Sequence, residues 1–209
     1  MGKTTCQRCN GEGKAQSPFI GLIEPMDLPG CEIGSGSMGY GLPFGVGFAL
    51  AKELKKEEGT VYVIMSDGEM AIGTTWESAL IAAHHKLDNL VVIVDYNGFQ
   101  AMGKINKILR IDYPQSYDPE EITGTLFEKW QAFHWNVDQI SGHKYEEIKR
   151  RLFPDETEIY NWQEKKRPSI IIAKTIKGKG VSFMENDNSW HYRRVDDVSY
   201  ELATKELGQ

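Results

Sequence analysis

The sequence predicts an α/β protein built on a parallel sheet, because strand-like apolar runs alternate with helical segments along the chain. Two of these runs, residues 60–66 (TVYVIMS) and 89–97 (NLVVIVDYN), are continuous and rich in β-branched residues, as in strands buried on both faces. A helical segment, 43–57, precedes the first run, and another, 74–87, separates the two. We therefore expect a mostly parallel sheet with helices on both faces.

Each of these two helical segments is expected to pack one apolar face on the sheet. Pro43 stands at the start of the first, where a fixed backbone angle suits a helix, and its lysines fall late. The predicted face of the first comprises Phe44, Val46, Ala49, Leu50 and Leu54. The predicted face of the second comprises Trp76, Leu80, Ala83 and Leu87.

The pattern loosens after residue 100 and then resumes. We predict helices over 124–133, 144–153 and 196–207, and strands over 135–140 and 168–175. Residues 177–194 are expected to be mostly loop. Residues 1–33, rich in Gly, Pro and polar residues, are expected to form an irregular N-terminal arm. Residues 34–209 then form one domain.

Composition narrows the class of protein. The chain has 209 residues, 40% hydrophobic and 26% charged, as in an ordinary globular domain. Its formal net charge of -6 offers no basic field for a nucleic-acid backbone, which argues against that partner. The sequence shows no apolar run long enough for a membrane helix and no signal-peptide segment, so we expect a cytoplasmic protein without a membrane partner.

The N-terminal arm contains a Cys-x-x-Cys pair, Cys6 and Cys9. Structural zinc sites use four ligands, and Cys31 is the only other cysteine in the chain. We interpret the pair as incidental unless another chain completes the site.

A glycine-rich loop, residues 34–45 (GSGSMGYGLPFG), carries the spacing G-x-G-x-x-G. A nicotinamide dinucleotide site would need a strand leading into these glycines and an acid about 20 residues later to bind the ribose. The preceding residues 24–33 (EPMDLPGCEI) make a poor strand, although Asp67 could serve as the acid. The dinucleotide site remains an open alternative at this point.

Two oxygen side chains follow neighbouring predicted strands. Asp67 ends the first apolar run in the sequence SDGE, and Asn97 ends the second in DYNGFQ. Because the carboxyl ends of parallel strands meet at one edge of the sheet, these side chains can share a hard cation together with a diphosphate. The sequence therefore predicts a magnesium diphosphate site.

Residues 66–100 (SDGEMAIGTTWESALIAAHHKLDNLVVIVDYNGFQ) resemble the thiamine diphosphate motif of transketolases, in which Asp-Gly is followed 25 to 30 residues later by Asn. Residues 29–51 resemble the glycine-rich loop and helix of that family, and residues 174–191 resemble the end of its diphosphate-binding domain. The similarity extends over about residues 29–200. It is greatest to the N-terminal half of a split transketolase, which implies the thiamine diphosphate-binding fold.

The resemblance implies specific roles for residues of this chain. Magnesium would be bound by Asp67, Asn97 and the backbone carbonyl of Phe99, and the diphosphate by the backbone amides of Gly68 and Glu69. The remaining cofactor contacts would come from Gly36, Ser37, Met38 and Ile176. Two residues match family positions with catalytic roles: His191, near the diphosphate and substrate, and Glu77, which links active sites. A helix cap for Asp67 and a solvated surface role for Glu77 and His191 are the structural alternatives.

The family chemistry implied is transfer of a two-carbon ketol unit between sugars or sugar phosphates, with thiamine diphosphate and magnesium as cofactors. A separate pyrimidine-binding, C-terminal transketolase subunit would have to complete the site, and we expect a heterotetramer with two copies of each chain. Two alternatives follow from departures from the family pattern. The chain has no histidine before His84, which suits a specialised biosynthetic two-carbon transferase, and Ile72 replaces a family glutamate, which suits a noncatalytic scaffold. Ser66 also replaces the first glycine of G-D-G.

Overall fold

A computed structural model gives the fold of residues 33–34, 36–109, 122–153 and 166–208. The predicted arm over residues 1–33, including Cys6 and Cys9, lies outside these described residues except for Ile33. In the described part of the chain, no helix is both long enough and apolar enough to cross a membrane.

The central feature is a four-stranded, fully parallel sheet. Its strands are β1 (Val61–Ser66), β2 (Leu90–Tyr96), β5 (Asn136–Ser141) and β6 (Ser169–Lys174). They lie in the order β1-β2-β6-β5. The register pairs Ser66 with Asp95, and Ser141 with Lys174, so the carboxyl ends of the strands are level. The α/β class, the parallel sheet and the positions of all four predicted strands are confirmed.

Helices cover the sheet on both faces, as predicted. One face packs against α1 (Gly41–Lys55), α2 (Gly73–His84) and α4 (Ile122–Ala132), and its core includes the fully buried Trp130. The other face packs against α5 (Tyr145–Leu152) around the buried Ile171. This second cover contacts β1 through a hydrogen bond of 3.5 Å from the Tyr62 hydroxyl to the carbonyl of Leu152, but it leaves Ile64 of β1 76% exposed.

The faces predicted for α1 and α2 are wrong in part. Leu80 is 57% exposed and Leu54 is 76% exposed, although the apolar periodicity assigns both to sheet-facing positions. The predicted Val46 and Ala49 of α1 are buried, together with Gly45, and α2 buries small residues such as Ala79 and Ala82. A Cβ added to Gly45 would lie 2.3 Å from a methyl group of Val63, which shows how closely α1 approaches β1. Apolar periodicity alone therefore misplaces part of the buried stripe of a closely packed helix.

Several short elements were not predicted, because elements of two to five residues carry no usable periodicity. They are a 3₁₀ helix (Asp67–Ala71), the hairpin of β3 (Phe99–Gln100) and β4 (Gly103–Lys104), helix α3 (Ile105–Ile108) and a second 3₁₀ helix (Asn188–His191). The last predicted helix is observed as α6 (Asp197–Glu206).

Candidate functional site

The carboxyl-end edge of the sheet brings together most of the residues that the sequence singled out. Asp67 directly follows β1, and Asn97 directly follows the neighbouring strand β2. A hydrogen bond of 2.6 Å from the backbone N–H of Gly98 to Oδ2 of Asp67 joins the two segments. The predicted proximity of Asp67 and Asn97 is therefore observed.

Asp67 is a buried acid with an incomplete set of partners. Its side chain is fully buried, and Oδ1 has no hydrogen-bond partner among the described residues. Its pKa is raised from 3.8 to about 7, chiefly by burial in a poorly solvated site and also by the nearby charge of Asp95, against the lowering effect of the Gly98 amide. A carboxylate oxygen that is buried and unpartnered is costly unless a cation or another donor completes it.

Asn97 is held at both ends of its side-chain amide. Its Nδ2 donates to Oδ2 of Asp95 at 3.2 Å, and its Oδ1 accepts from the backbone N–H of Phe99 at 2.9 Å. Gly98 between them has φ of 79°, a left-handed conformation that suits glycine. The turn places the start of the β3–β4 hairpin directly beside the site, with Lys104 Nζ 5.8 Å from the centre of the Phe99 ring.

Glu69 ties the glycine-rich loop to the 3₁₀ helix through its side chain. Its Oε1 accepts from the backbone N–H of Gly39 at 3.0 Å, and its Oε2 accepts from the backbone N–H of Ser66 at 2.7 Å. The hydroxyl of Thr74 adds a 3.1 Å hydrogen bond to the carbonyl of Gly39. Serine fits at position 66 because the backbone there is extended, with φ of -87° and ψ of 157°.

The glycine-rich loop approaches the Asp-Gly segment closely. Gly39 has φ of 82°, and a Cβ there would lie 2.4 Å from Cγ2 of Ile72, so only glycine fits. A Cβ added to the buried Gly68 would meet Cε of Met38 at 3.4 Å and Cβ of Gln100 at 3.2 Å. Of the predicted cofactor contacts, Met38 and Gly68 therefore lie side by side, and Gly36 and Ser37 continue from Met38 as exposed residues.

Ile176 lies just beyond the end of β6, on the same edge of the sheet. Its backbone N–H donates to Nε2 of His143 at 2.8 Å, and His143 follows the end of β5. Gly142 beside it donates to the carbonyl of Lys174 at 2.7 Å, and a Cβ there would lie 2.5 Å from a methyl group of Thr175. The sequence alone indicated no partner for His143. The one available signal was its place just after the predicted strand 135–140, at the edge of the sheet where the other site residues lie.

The two candidate catalytic side chains, His191 and Glu77, take no part in the hydrogen bonds described above. His191 is exposed at the end of the second 3₁₀ helix, where its ring contacts Tyr192 with centroids 4.9 Å apart. Asn188 at the start of that helix donates to the carbonyl of Ala101 at 3.1 Å, which anchors it to the turn of the β3–β4 hairpin. Glu77 is an exposed residue of α2.

The oxygen atoms of Asp67 and Asn97 suit a hard cation that is bound through few carboxylates. No group of three or more His, Cys, Asp or Glu side chains suited to a metal occurs within the four described ranges. Magnesium, however, is commonly bound through one or two carboxylates with other oxygens and a phosphate. The unpartnered Oδ1 of Asp67 beside Asn97 fits that requirement.

Comparisons with known proteins agree on one family. Residues 14–209 match the family described as "Transketolase, thiamine diphosphate binding domain". The chain is 33% identical over 184 residues to a subunit of the apulose-4-phosphate transketolase from Phocaeicola vulgatus, covering 88% of this chain and 59% of the relative. It is 34% identical over 178 residues to 6-deoxy-6-sulfo-D-fructose transketolase subunit SqwG from Clostridium sp., covering 85% and 58%. The chain thus spans less than two thirds of the length of these relatives.

The fold agrees with the sequence comparison. The crystal structure of transketolase from Campylobacter jejuni superposes with a TM-score of 0.67 at 25% identity, over 84% of this chain and 26% of that one. These similarities favour thiamine diphosphate over a nicotinamide dinucleotide as the ligand of this edge. The chain belongs to the transketolase family and carries its thiamine diphosphate binding domain.

Proposed function

We propose that this chain is the diphosphate-binding subunit of a two-chain transketolase-like enzyme that uses thiamine diphosphate and magnesium. The observation that carries the proposal is the fully buried Asp67, whose unpartnered Oδ1 lies at the carboxyl-end edge beside Asn97. A bound divalent cation would hold this carboxylate ionised despite its burial, because the cation supplies the missing opposite charge.

The proposed magnesium ligands are Asp67, Asn97 and the backbone carbonyl of Phe99. The backbone amides of Gly68 and Glu69, in the first turn of the 3₁₀ helix that begins at Asp67, are proposed to bind the diphosphate. Gly36, Ser37, Met38 and Ile176 are proposed as the remaining cofactor contacts. The support for Met38 is its position against Gly68.

When bound, thiamine diphosphate supplies the electron-accepting centre for breaking and forming the carbon–carbon bond of a two-carbon ketol transfer. The residues of this chain would bind and orient the cofactor and exclude water from the site. Glu69 holds the glycine-rich loop against the Asp-Gly segment through Gly39, and this fixes one wall of the site. His191 is proposed to act near the substrate and Glu77 in contacts between active sites.

A second chain with a pyrimidine-binding domain is proposed as the partner, in an assembly with two copies of each chain. The support is that two similar proteins are named as subunits of transketolases, and that the glycine-rich loop leaves Gly36, Ser37 and Met38 exposed beside the site. Sugars or sugar phosphates are the proposed substrates.

A noncatalytic scaffold that keeps the cofactor site is the competing function. Its support is Ile72, which packs against Gly39 where the family has a glutamate. To separate the two, the chain should be co-expressed with a pyrimidine-binding transketolase partner, and ketol transfer from several ketose donors should be assayed. The enzyme proposal predicts cofactor-dependent transfer that is lost in Asp67→Ala and kept in Asp88→Ala, an exposed acid before β2 at the opposite edge.

A complex that binds the cofactor without transfer from any donor would favour the scaffold. In that case Asp67→Ala should lower cofactor affinity, and neither the unsubstituted complex nor the variant should transfer the ketol unit. A complex that transfers the ketol unit equally well after Asp67→Ala would contradict the proposed site.

A further inference from the structure

The ends of the neighbouring strands β2 and β6 are joined by hydrogen bonds at Asp95, the residue two before Asn97. One carboxylate oxygen of Asp95, Oδ1, accepts from the hydroxyl of Thr175, which directly follows β6. The other, Oδ2, accepts from Nδ2 of Asn97 at 3.2 Å. The backbone N–H of Thr175 donates to the carbonyl of Tyr96 at 3.1 Å, which holds the same two segments together.

These contacts determine which way the amide of Asn97 faces. An asparagine amide has one end that donates and one that accepts, and the two ends can exchange by a half-turn of the group. Asp95 accepts at the Nδ2 end and the Phe99 N–H donates at the Oδ1 end, so both contacts favour the same orientation. An amide oxygen has two lone pairs, and the Phe99 N–H uses one of them.

We propose that Asp95 is a positioning residue that fixes the side-chain oxygen of Asn97 toward the cation, with Thr175 fixing Asp95 in turn. The inference rests on the proposed function, because the cation is the proposed magnesium. Asp95 does not itself need to bind the metal, since each of its carboxylate oxygens already accepts a hydrogen bond. A group that orients a metal ligand in this way typically contributes about 10- to 100-fold in metal affinity.

The variant Asp95→Ala tests the orientation directly. It removes the acceptor of the Asn97 NH₂ group, so the amide of Asn97 is no longer held in one orientation. We expect magnesium-dependent affinity for thiamine diphosphate to fall by about tenfold or more, by calorimetric titration of the full chain with its partner subunit. Thr175→Val should give a smaller loss, and Asp88→Asn, which removes an exposed charge at the opposite edge, should give none.

A double-substitution cycle separates orientation from charge. If Asp95 acts only as a negative charge, Asp95→Ala should cost the same affinity alone and in combination with Asn97→Asp. If Asp95 orients the amide, Asp95→Ala should cost nothing when Asn97→Asp is also present, because a carboxylate at position 97 has two equivalent oxygens and needs no orientation. Equal losses in both backgrounds would overturn the inference.

Nuclear magnetic resonance of the cofactor-free chain gives a readout that does not depend on binding. The Nδ2 protons of Asn97 should exchange with water more slowly than those of the exposed Asn106, and Asp95→Ala should remove this protection. Unchanged protection in Asp95→Ala would overturn the positioning role, whether or not the chain binds the cofactor. Failure of the unsubstituted complex to bind cofactor would instead contradict the proposed function.

Discussion

Asp67→Asn should change the pH dependence of folding in the cofactor-free chain, because it replaces a buried acid that is costly to ionise. The pKa of Asp67 is raised from 3.8 to about 7 by burial. Below pH 3.8 the carboxyl is protonated in both the folded and the unfolded chain. As the pH rises from there to 7, the unfolded chain ionises first, so the folded state loses stability; above 7 the loss is complete.

The size of the effect follows from the two pKa values. The difference between 3.8 and about 7 corresponds to about 4 kcal/mol of unfolding free energy, of which about 3 kcal/mol falls between about pH 4.5 and pH 8. The asparagine side chain of the variant would have no charge to bury at any pH. Its extra donor has a constant cost of about 1–3 kcal/mol, which does not vary with pH. Between about pH 4.5 and pH 8, the free energy of unfolding of Asp67→Asn, relative to that of the unsubstituted chain, should therefore rise by about 3 kcal/mol.

Urea unfolding followed by tryptophan fluorescence measures this difference, since Trp130 and Trp135 are buried in the core. The other carboxyl groups titrate in both proteins, so their contributions cancel when the two pH profiles are subtracted. Adding magnesium and thiamine diphosphate should stabilise the unsubstituted chain with its partner but not Asp67→Asn. Parallel pH profiles for the two proteins would refute the assignment of a raised pKa to Asp67.

Three further substitutions test the supports of the site by the free energy of unfolding in urea. Glu69→Gln leaves one of the two backbone N–H groups, of Gly39 or Ser66, facing another donor, and should cost about 1–3 kcal/mol. Cofactor binding measured by calorimetry should also weaken. No loss of either stability or affinity would contradict the role of Glu69 in holding the glycine-rich loop. Gly39→Ala should cost at least about 1 kcal/mol, because its Cβ would clash with Ile72 and its positive φ strains any residue but glycine. Adding Ile72→Ala should recover the part of this cost that is due to the clash and leave the part due to backbone strain. His143→Ala should cost about 1 kcal/mol and His143→Gln less, because glutamine can still accept from Ile176; equal losses would argue against that hydrogen bond.

The sequence was sufficient for the sheet and for the two residues at its edge. The apolar runs that became β1, β2 and β6 are long enough for their type to be read locally, and parallel strands place their carboxyl ends together. That geometry predicted the proximity of Asp67 and Asn97 without a structure. The existence of α1 and α2 followed from periodicity in the same way.

What the sequence could not supply depends on contacts between distant residues. The buried stripe of α2 consists of small residues such as Ala79 and Ala82, because the helix lies close against its neighbours, and Leu80 is left outside. Thr175 contacts Asp95 across 80 positions and His143 contacts Ile176 across 33, so no local pattern could reveal either pair. Glu69 was expected to contribute only its backbone, whereas its side chain also holds the glycine-rich loop.

Calorimetric titration of thiamine diphosphate, with and without magnesium, tests most directly whether this edge of the sheet is a magnesium diphosphate site. The titration should use the chain alone and then the chain with a pyrimidine-binding transketolase subunit. We predict binding that requires magnesium, tightens with the partner, disappears in Asn97→Ala and persists in Asn106→Ala. Absence of binding in both conditions, or binding unaffected by magnesium and by Asn97→Ala, would contradict the account.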